Sequence, residues 1–320
     1  MSKPVLFSCF RPIERAENLK AIYEAYDGEK QLINYYDPNY YAEVTSGKYD
    51  LMVIDDFPSC TPGKTIVIEH SIQGAKTIGA DQPGTPYFDR HVPDRITYII
   101  SASFGTIGMW ESAAHVPAER IAPLGMPRTD QYIGKKKGDG HTVLSVRRAY
   151  LYVPTFRDRG EGKLPDIDWD YIDSHLTDDE VFAVKYHPWH TGRLKSTLDT
   201  SRYRHIIELS PADPTTPYLF DADVVITDYS SVMFDAYLLG KPAVLFEKEK
   251  GYTTTRGMYL QYPEQYCSRY AIDEAGLIYH IRAARQLRKT EKDCLKIVAD
   301  MCDGHACERL CNLINLMKGG

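Results

Sequence analysis

The chain has 320 residues, of which 43% are hydrophobic and 26% are charged, and its formal net charge is −6. This composition excludes a disordered chain, and the length suits two α/β domains. The mild acidity argues against a broad nucleic-acid interface, so we expect no nucleic-acid partner.

The beginning of the chain does not have the pattern of a signal peptide, because its first apolar run, Val5–Phe7, is too short. Nowhere does the sequence contain the roughly 18 apolar residues that a membrane-spanning helix needs. The seven cysteines are mostly scattered singly, which favours reduced thiols. We therefore expect a cytoplasmic protein with at most peripheral contact with the inner face of the plasma membrane.

The first half alternates short apolar runs rich in β-branched residues with segments of helical spacing. This alternation is typical of βαβ units and a parallel sheet. A helix is predicted at Ile13–Tyr26 and a loop at Gln82–Pro93, where proline and glycine recur. The predicted strands are Val5–Ser8, Leu32–Tyr35, Leu51–Ile54, Thr65–Glu69 and Thr97–Ser101.

A short polar segment, Gly134–Gly140, has the glycine-rich composition of a linker between domains. It predicts an amino-terminal domain of residues 1–138 and a carboxyl-terminal domain of residues 139–320, whose last helix can pack back on the first domain. An exposed loop within one large domain is the alternative.

The same alternation follows in the second half. A helix at Ser230–Leu239 is predicted to end at Gly240-Lys241-Pro242, and amphipathic helices are predicted in Asp273–Leu287 and Lys292–Met317. The predicted strands are Val143–Val153, Val181–Tyr186, His205–Glu208, Asp223–Thr227 and Ala243–Phe246. An interruption of the first at Arg147-Arg148 is the alternative. Two successive open α/β sheets with a cleft between them are the predicted architecture.

Two serines, Ser230 and Ser231, open the helix that follows the predicted strand ending at Thr227. The first N–H groups of a helix lack partners within the helix and carry a partial positive charge, so a diphosphate fits there. The alternative is that Ser230 only caps the helix.

Two histidines directly follow predicted strands, His70 in the first half and His187 in the second. Ligands of open α/β sheets bind outside the carboxyl ends of the strands. Because imidazole titrates near neutrality, the pair can supply a general base and a phosphate contact. Each histidine taken singly can also be structural or merely exposed.

Further cationic and hydroxyl groups stand in loops of the second half. Thr155 and Arg157 follow its first predicted strand, and Arg256 lies in a later loop. An arginine offers two parallel hydrogen bonds to an anionic ligand, whereas the alternative for each arginine is a surface ion pair.

Neither a metal nor a cofactor is predicted. Cys302, His305, Cys307 and Cys311 are close in sequence, but their spacing matches no zinc pattern and a helix would spread them over several faces. The sequence also contains no glycine-rich Walker or dinucleotide fingerprint.

Several short segments occur in a characteristic order from about Ser101 to the carboxyl terminus. They are Leu124-Gly125-Met126-Pro127-Arg128-Thr129-Asp130, Tyr152-Val153-Pro154-Thr155-Phe156-Arg157-Asp158, Val184-Lys185-Tyr186-His187-Pro188, Ile226-Thr227-Asp228-Tyr229-Ser230-Ser231 with Phe234-Asp235, Lys241-Pro242, Arg256-Gly257-Met258-Tyr259 and Asp303-Gly304-His305-Ala306. The ordered set resembles the CDP-glycerol glycerophosphotransferase family, the teichoic-acid polymerases and primases of bacterial surfaces.

The resemblance implies an α/β fold of the GT-B type, with two Rossmann-like parallel-sheet domains facing a central cleft. It also implies that an acceptor hydroxyl attacks the β-phosphate of CDP-glycerol or a related CDP-alcohol, with CMP as leaving group. The nucleotide is expected in the second domain and a lipid-linked or glycan acceptor in the first. The product is expected to be teichoic acid or a capsule-like polymer.

By position, the resemblance implies that His70 is the base and that His187 contacts the phosphates and stabilises developing charge. Ser230 and Ser231 would hold the diphosphate. The remaining implied contacts are Thr155, Arg157 and Arg256 to phosphate and Asp235 to the ribose.

The first half departs from the family pattern around His70. The family has a tryptophan before this histidine and Gly-Thr-Pro after it, whereas here Glu69 precedes it and Ser71-Ile72-Gln73-Gly74 follows. This departure leaves a catalytically inactive nucleotide-binding subunit as one alternative. A GT-B glycosyltransferase that uses a nucleotide sugar is the other, because the fold and the His-Pro and Ser-Ser features suit a sugar nucleotide equally well.

Overall fold

The computed structural model describes residues 3–69, 71–78, 81, 92–155, 166–187, 198–248 and 257–319. The chain divides into two compact units. The first combines Met1–Ile133 with Lys296–Gly320, and the second is Gly134–Leu295.

The first unit contains a six-stranded sheet in the order β2-β1-β3-β4-β5-β6, and every neighbouring pair is parallel. Its strands are β1 Val5–Cys9, β2 Lys30–Asn34, β3 Leu51–Ile54, β4 Lys64–Ile68, β5 Tyr98–Ser101 and β6 Ile121–Pro123. The residues of β1 and β3 are buried throughout, as apolar strands of a sheet covered on both faces should be. The order changes direction between β1 and β3, which makes this pair the topological switch point.

The second unit contains another six-stranded parallel sheet, in the order β12-β11-β10-β7-β8-β9. Its strands are β7 Arg148–Tyr152, β8 Glu180–Val184, β9 Ile206–Glu208, β10 Val224–Thr227, β11 Ala243–Phe246 and β12 Tyr270–Ala271. Counted within the unit, this is the doubly wound order of dinucleotide-binding folds, with the switch point between β7 and β10.

Helices connect the strands, and the last three helices follow β12, the last strand. The helices are α1 Glu17–Ala25, α2 Tyr40–Val44, α3 Val92–Arg95, α4 Ile107–Ala114, α5 Trp169–Ser174, α6 Thr216–Asp221, α7 Val232–Leu238, α8 Glu274–Ala283, α9 Lys289–Val298 and α10 Ala306–Gly319. In the part of the chain that the structure describes, no helix has the length and apolar character to cross a membrane.

The closing helix α10 belongs to the first unit and is fixed there by hydrogen bonds. Both carboxylate oxygens of Asp130 accept from its first turn, from Ala306 N at 3.0 Å and from Cys307 N at 2.7 Å. Gly125 has a φ of +86°, and a Cβ there would lie 2.2 Å from the carbonyl oxygen of Met301. The segments 124–130 and 303–306 therefore have a structural role.

Most predicted strands are confirmed to within two residues, but two predicted elements are shorter than expected. The strand predicted at Val143–Val153 begins only at Arg148, at the interruption that was the alternative. The helix predicted at Lys292–Met317 is interrupted between α9 and α10, where Gly304 adopts a φ of +95°. Most of the loop predicted at Gln82–Pro93 lies outside the described residues.

The polar segment Gly134–Gly140 is bound to the second unit by a buried carboxylate. Asp221 Oδ1 accepts from Gly138 N at 3.0 Å and from Gly140 N at 3.1 Å, and Oδ2 accepts from Thr142 N at 2.8 Å. These bonds hold the segment in a defined turn that leads into β7.

Candidate functional site

Four predicted site residues of the second unit lie at one edge of its sheet. Thr155 follows β7, His187 follows β8, and Ser230 and Ser231 follow β10. Because β7 pairs in parallel with both β8 and β10, the three loops leave the sheet side by side at its switch point. Ligands of doubly wound sheets bind at this position.

A buried carboxylate connects two of these loops. Asp228 Oδ1 accepts from Thr155 N at 2.8 Å and from Tyr229 N at 2.6 Å. The hydroxyl of Thr227 adds a bond to the carbonyl oxygen of Val153 at 2.6 Å. The backbone around Thr155 is therefore fixed to the start of the loop that carries Ser230 and Ser231, which we call the serine loop. Sequence reasoning did not assign Asp228 to the site, although its position directly after a buried strand was a usable signal.

The two serines lie half-buried at the start of α7. Ser231 occupies the N-cap position without a side-chain capping hydrogen bond, and Ser230 Oγ accepts from Val232 N at a long 3.4 Å. The capping role that was the alternative for Ser230 is thus limited to one weak contact. Asp235, also predicted for the site, is buried in the first turn of α7.

His187 is half-buried and follows a segment that is fixed on the sheet. The N–H of Lys185 donates to the carbonyl oxygen of Tyr152 at 2.9 Å. Its ammonium group, on a side chain that is almost fully buried, donates to the carbonyl oxygen of Ser210 at 3.0 Å. Burial, followed by the nearby Glu208, raises the pKa of Tyr186 above its usual range. His187 therefore extends from a rigid strand end.

A carboxylate and several tyrosines support the serine loop from the β11 side. Glu247, directly after β11, accepts hydrogen bonds from the hydroxyls of Tyr229 and Tyr270. The ring of Tyr262 packs 5.2 Å from that of Tyr229, and its hydroxyl donates to the carbonyl oxygen of Asp228 at 3.4 Å. Sequence reasoning also did not assign Glu247 to the site, because its hydrogen bonds to the two tyrosines depend on the strand order.

In the first unit, the predicted base His70 lies outside the described residues, but the residue before it is positioned by a buried amide. Asn18 Nδ2 donates to the carbonyl oxygen of Glu69 at 2.8 Å, and Asn18 Oδ1 accepts from Arg128 N at 3.0 Å. Asn18 is only 1% exposed. The end of β4 is therefore fixed to α1 and to the loop after β6.

Arg157 and Arg256 also lie outside the described residues. Within the described ranges, no group of three histidine, cysteine or acidic side chains is arranged to hold a metal ion. No disulfide links the seven cysteines, all of which lie within the described residues. Burial, and then the nearby Asp130, raises the pKa of the Cys307 thiol to about 12, which disfavours the thiolate that a metal would require.

Comparison with known sequences gives a family match over most of the chain. Residues 57–316 match the model of CDP-Glycerol:Poly(glycerophosphate) glycerophosphotransferase. The teichoic acid ribitol-phosphate polymerase TarK of Staphylococcus aureus (strain NCTC 8325 / PS 47) is 26% identical over 240 residues, which cover 67% of this chain and 46% of TarK. The teichoic acid glycerol-phosphate transferase of the same organism is 24% identical over 282 residues, with coverages of 79% and 69%. The chain thus spans less than half the length of TarK.

Solved structures of the wall teichoic acid polymerase TagF have a similar fold. One superposes with a TM-score of 0.79 at 20% identity, over 99% of this chain and 89% of that one. Another, soaked with CDPG, gives a TM-score of 0.78 at 19% identity, with the same coverage. At this identity the likeness concerns the fold, and it confirms the predicted α/β class of GT-B type with two Rossmann-like domains. The cleft between them stays a prediction.

Proposed function

Because the chain belongs to the CDP-glycerol:poly(glycerophosphate) glycerophosphotransferase family, we propose that it transfers an alditol phosphate from a CDP-alcohol to an acceptor hydroxyl. The acceptor belongs to a bacterial surface polymer of the teichoic-acid or capsule type, and CMP is released. The observation that carries this proposal is the polar edge of the second sheet, where Thr155, His187 and the two serines follow neighbouring strands.

The donor site is assigned to the second unit. Ser230, Ser231 and Thr155 provide hydroxyl and N–H donors for the diphosphate, and Asp235 provides a carboxylate for the ribose hydroxyls. Arg157 and Arg256 complete the proposed phosphate contacts. The TagF structure soaked with CDPG supports a CDP-alcohol as donor in a protein of the same fold.

The proposed reaction is an in-line displacement at the β-phosphorus of the donor. The acceptor oxygen forms the new P–O bond, the bond to the CMP oxygen breaks, and CMP leaves with the electron pair. His70 takes the proton of the acceptor hydroxyl, while His187 stabilises the charge that develops on the phosphate. Catalysis of this kind rests on positioning and electrostatics, which fits a site held by buried hydrogen bonds.

The acceptor is assigned to the first unit, and it is a lipid-linked or glycan molecule. Asn18 fixes the carbonyl oxygen of Glu69, the residue before the proposed base in the sequence. If the acceptor carries a lipid, the protein works in peripheral contact with the inner face of the membrane.

The test is CMP release from CDP-glycerol and from CDP-ribitol by wild type, His70→Ala and His187→Ala. The matched control is His305→Ala. This exposed histidine has its Nδ1 3.2 Å from Glu308 Oε2 and lies outside the two segments that carry the proposed catalytic histidines. Release that collapses in the first two variants and persists in the control supports the proposal. Release from nucleotide sugars alone would indicate a glycosyltransferase. CDP-induced thermal stabilisation without any release would indicate an inactive binding subunit.

A further inference from the structure

Two polar side chains, Ser71 and Gln73, form a hydrogen-bonded pair shortly after β4 in the first unit. Gln73 Nε2 donates to Ser71 Oγ at 3.0 Å. Ser71 is half-buried, and Gln73 is only 8% exposed. Burying an amide is costly unless its polar groups find partners. We call Ser71 and Gln73 the polar pair, and the bonds that it leaves unmade indicate what it can bind.

The segment that carries the polar pair is anchored in the first unit. Ile72, between its two members, is fully buried, and Ala75 is 3% exposed. Gly74 has a φ of +134°, which side chains other than hydrogen rarely tolerate, so the chain turns directly after the pair. These apolar contacts and the turn fix the backbone from which both polar side chains extend.

The polar pair retains one donor and one acceptor for a ligand. The serine oxygen accepts from the amide, so its own hydrogen remains to be donated. The amide oxygen, Gln73 Oε1, makes no hydrogen bond to the part of the chain that the structure describes. The opposite orientation of the amide leaves the same count, because Ser71 then donates to the amide oxygen. In that case the pair presents an amide N–H and the serine oxygen.

One free donor beside one free acceptor matches a hydroxyl group. A ligand hydroxyl can accept from the serine and donate to the amide oxygen, which satisfies both members of the pair at once. A phosphodiester oxygen only accepts, so it would face the amide oxygen with no hydrogen between them. An ammonium group only donates and meets the same difficulty at the serine. The polar pair therefore favours a neutral hydroxyl over a charged group.

We propose that the polar pair binds the acceptor hydroxyl next to the attacked one, so that the acceptor ends in a vicinal diol. Ser71 directly follows the proposed base, His70, in the sequence. The activated hydroxyl and the bound hydroxyl therefore lie on neighbouring carbons, as at the end of a polyol chain. The pair also stands where the sequence departs from the Gly-Thr-Pro of the family. The proposal rests on the proposed function and deepens it, because it assigns two residues to acceptor specificity.

The test is saturation-transfer NMR without donor, with glycerol 3-phosphate and with 3-hydroxypropyl phosphate, which lacks only the central hydroxyl. Wild type should bind the diol about five- to tenfold more tightly, as one neutral hydrogen bond allows. Ser71→Ala and Gln73→Leu should abolish this preference and leave the affinity for 3-hydroxypropyl phosphate unchanged. Ser71→Thr keeps the hydroxyl and should keep the preference. The matched control is Ser112→Ala, because this exposed serine of the same unit donates to Asp81.

The same two acceptors are then compared by their kcat/KM for CMP release from CDP-glycerol. Wild type without a preference for the diol, in binding or in kcat/KM, would overturn the proposal. So would equal losses for both compounds in Ser71→Ala and Gln73→Leu, because a structural defect does not distinguish the two ligands. Competition by inorganic phosphate that Ser71→Ala abolishes would indicate an anion site and would also overturn it.

The two measurements separate this proposal from the proposed function. Binding that prefers the diol, without CMP release from any CDP-alcohol, would contradict the phosphotransferase and leave the polar pair as a hydroxyl site. CMP release without a preference for the diol would contradict only the role of the polar pair.

Discussion

The carboxylate of Asp228 offers the sharpest test of how the second unit builds its switch point. It is 1% exposed and accepts the N–H groups of Thr155 and Tyr229 at 2.8 and 2.6 Å. A hydrogen bond to a charged group contributes about 1.5–3 kcal/mol. We therefore expect Asp228→Ala to lower the free energy of unfolding of the second unit by about 3–5 kcal/mol. For a unit of this size that corresponds to a fall in Tm of about 10 °C.

The assay is thermal unfolding monitored by circular dichroism. CMP release is measured at a temperature below the unfolding transition of every variant. Asp228→Asn keeps an acceptor oxygen and loses only the charge, so its loss should be about 2 kcal/mol. Asp213→Ala is the control, because this exposed carboxylate accepts from the surface hydroxyl of Tyr218 at 2.9 Å. A misplacement of about 1 Å at the phosphate site should reduce CMP release about 10²-fold. Wild-type Tm and wild-type CMP release in Asp228→Ala would refute the reasoning.

Three further predictions concern the framework. Burial, which would raise the pKa of Asp221, is outweighed by hydrogen bonds from Thr142 and nearby N–H groups, so this pKa is lowered. The stabilisation that Asp221 provides is present above its unfolded pKa of about 3.9 and is lost as the pH falls through its folded pKa. In urea titrations, Asp221→Asn should therefore make the free energy of unfolding depend less on pH in the acid range. Asp130→Ala removes the cap of α10 and should cost about 1–2 kcal/mol in thermal unfolding. Gly125→Ala should cost about 1–3 kcal/mol in urea unfolding, because its Cβ would lie 2.2 Å from the Met301 carbonyl oxygen. The same pH dependence as wild type in Asp221→Asn would contradict the first prediction. Unchanged unfolding midpoints in Asp130→Ala or Gly125→Ala would contradict the second or the third.

The strands were largely predictable because a parallel strand covered on both faces is a continuous apolar run. The prediction Ala243–Phe246 matches β11 to the residue. The error at Val143–Val153 has a tertiary cause. Leu144 is buried, but Thr142 and Ser145 both donate hydroxyl hydrogen bonds to Asp221. Those bonds hold the apolar residues between them in a turn, and no local pattern encodes a partner so far along the chain.

The candidate site likewise has residues that the local sequence predicts and residues that it does not. That Thr155 and His187 follow strands is local information, and the sequence places both correctly at strand ends. The supporting residues depend on which strands become neighbours. Asp228 bonds to a residue 73 positions away, and Asn18 bonds to the carbonyl oxygen of Glu69, 51 positions away. Such pairings become visible only when the sheet order is known.

The attachment of α10 to the first unit has a consequence for synthesis on the ribosome. Asp130 emerges early, but the N–H group of Ala306 that it accepts from is made 176 residues later. Between them the ribosome produces the whole of the second unit, Gly134–Leu295. The second unit can therefore fold during translation before α10 is made, whereas the surface of the first unit to which α10 binds is still uncovered at that stage. A nascent-chain experiment would find the two units completed in the reverse of the order in which they begin.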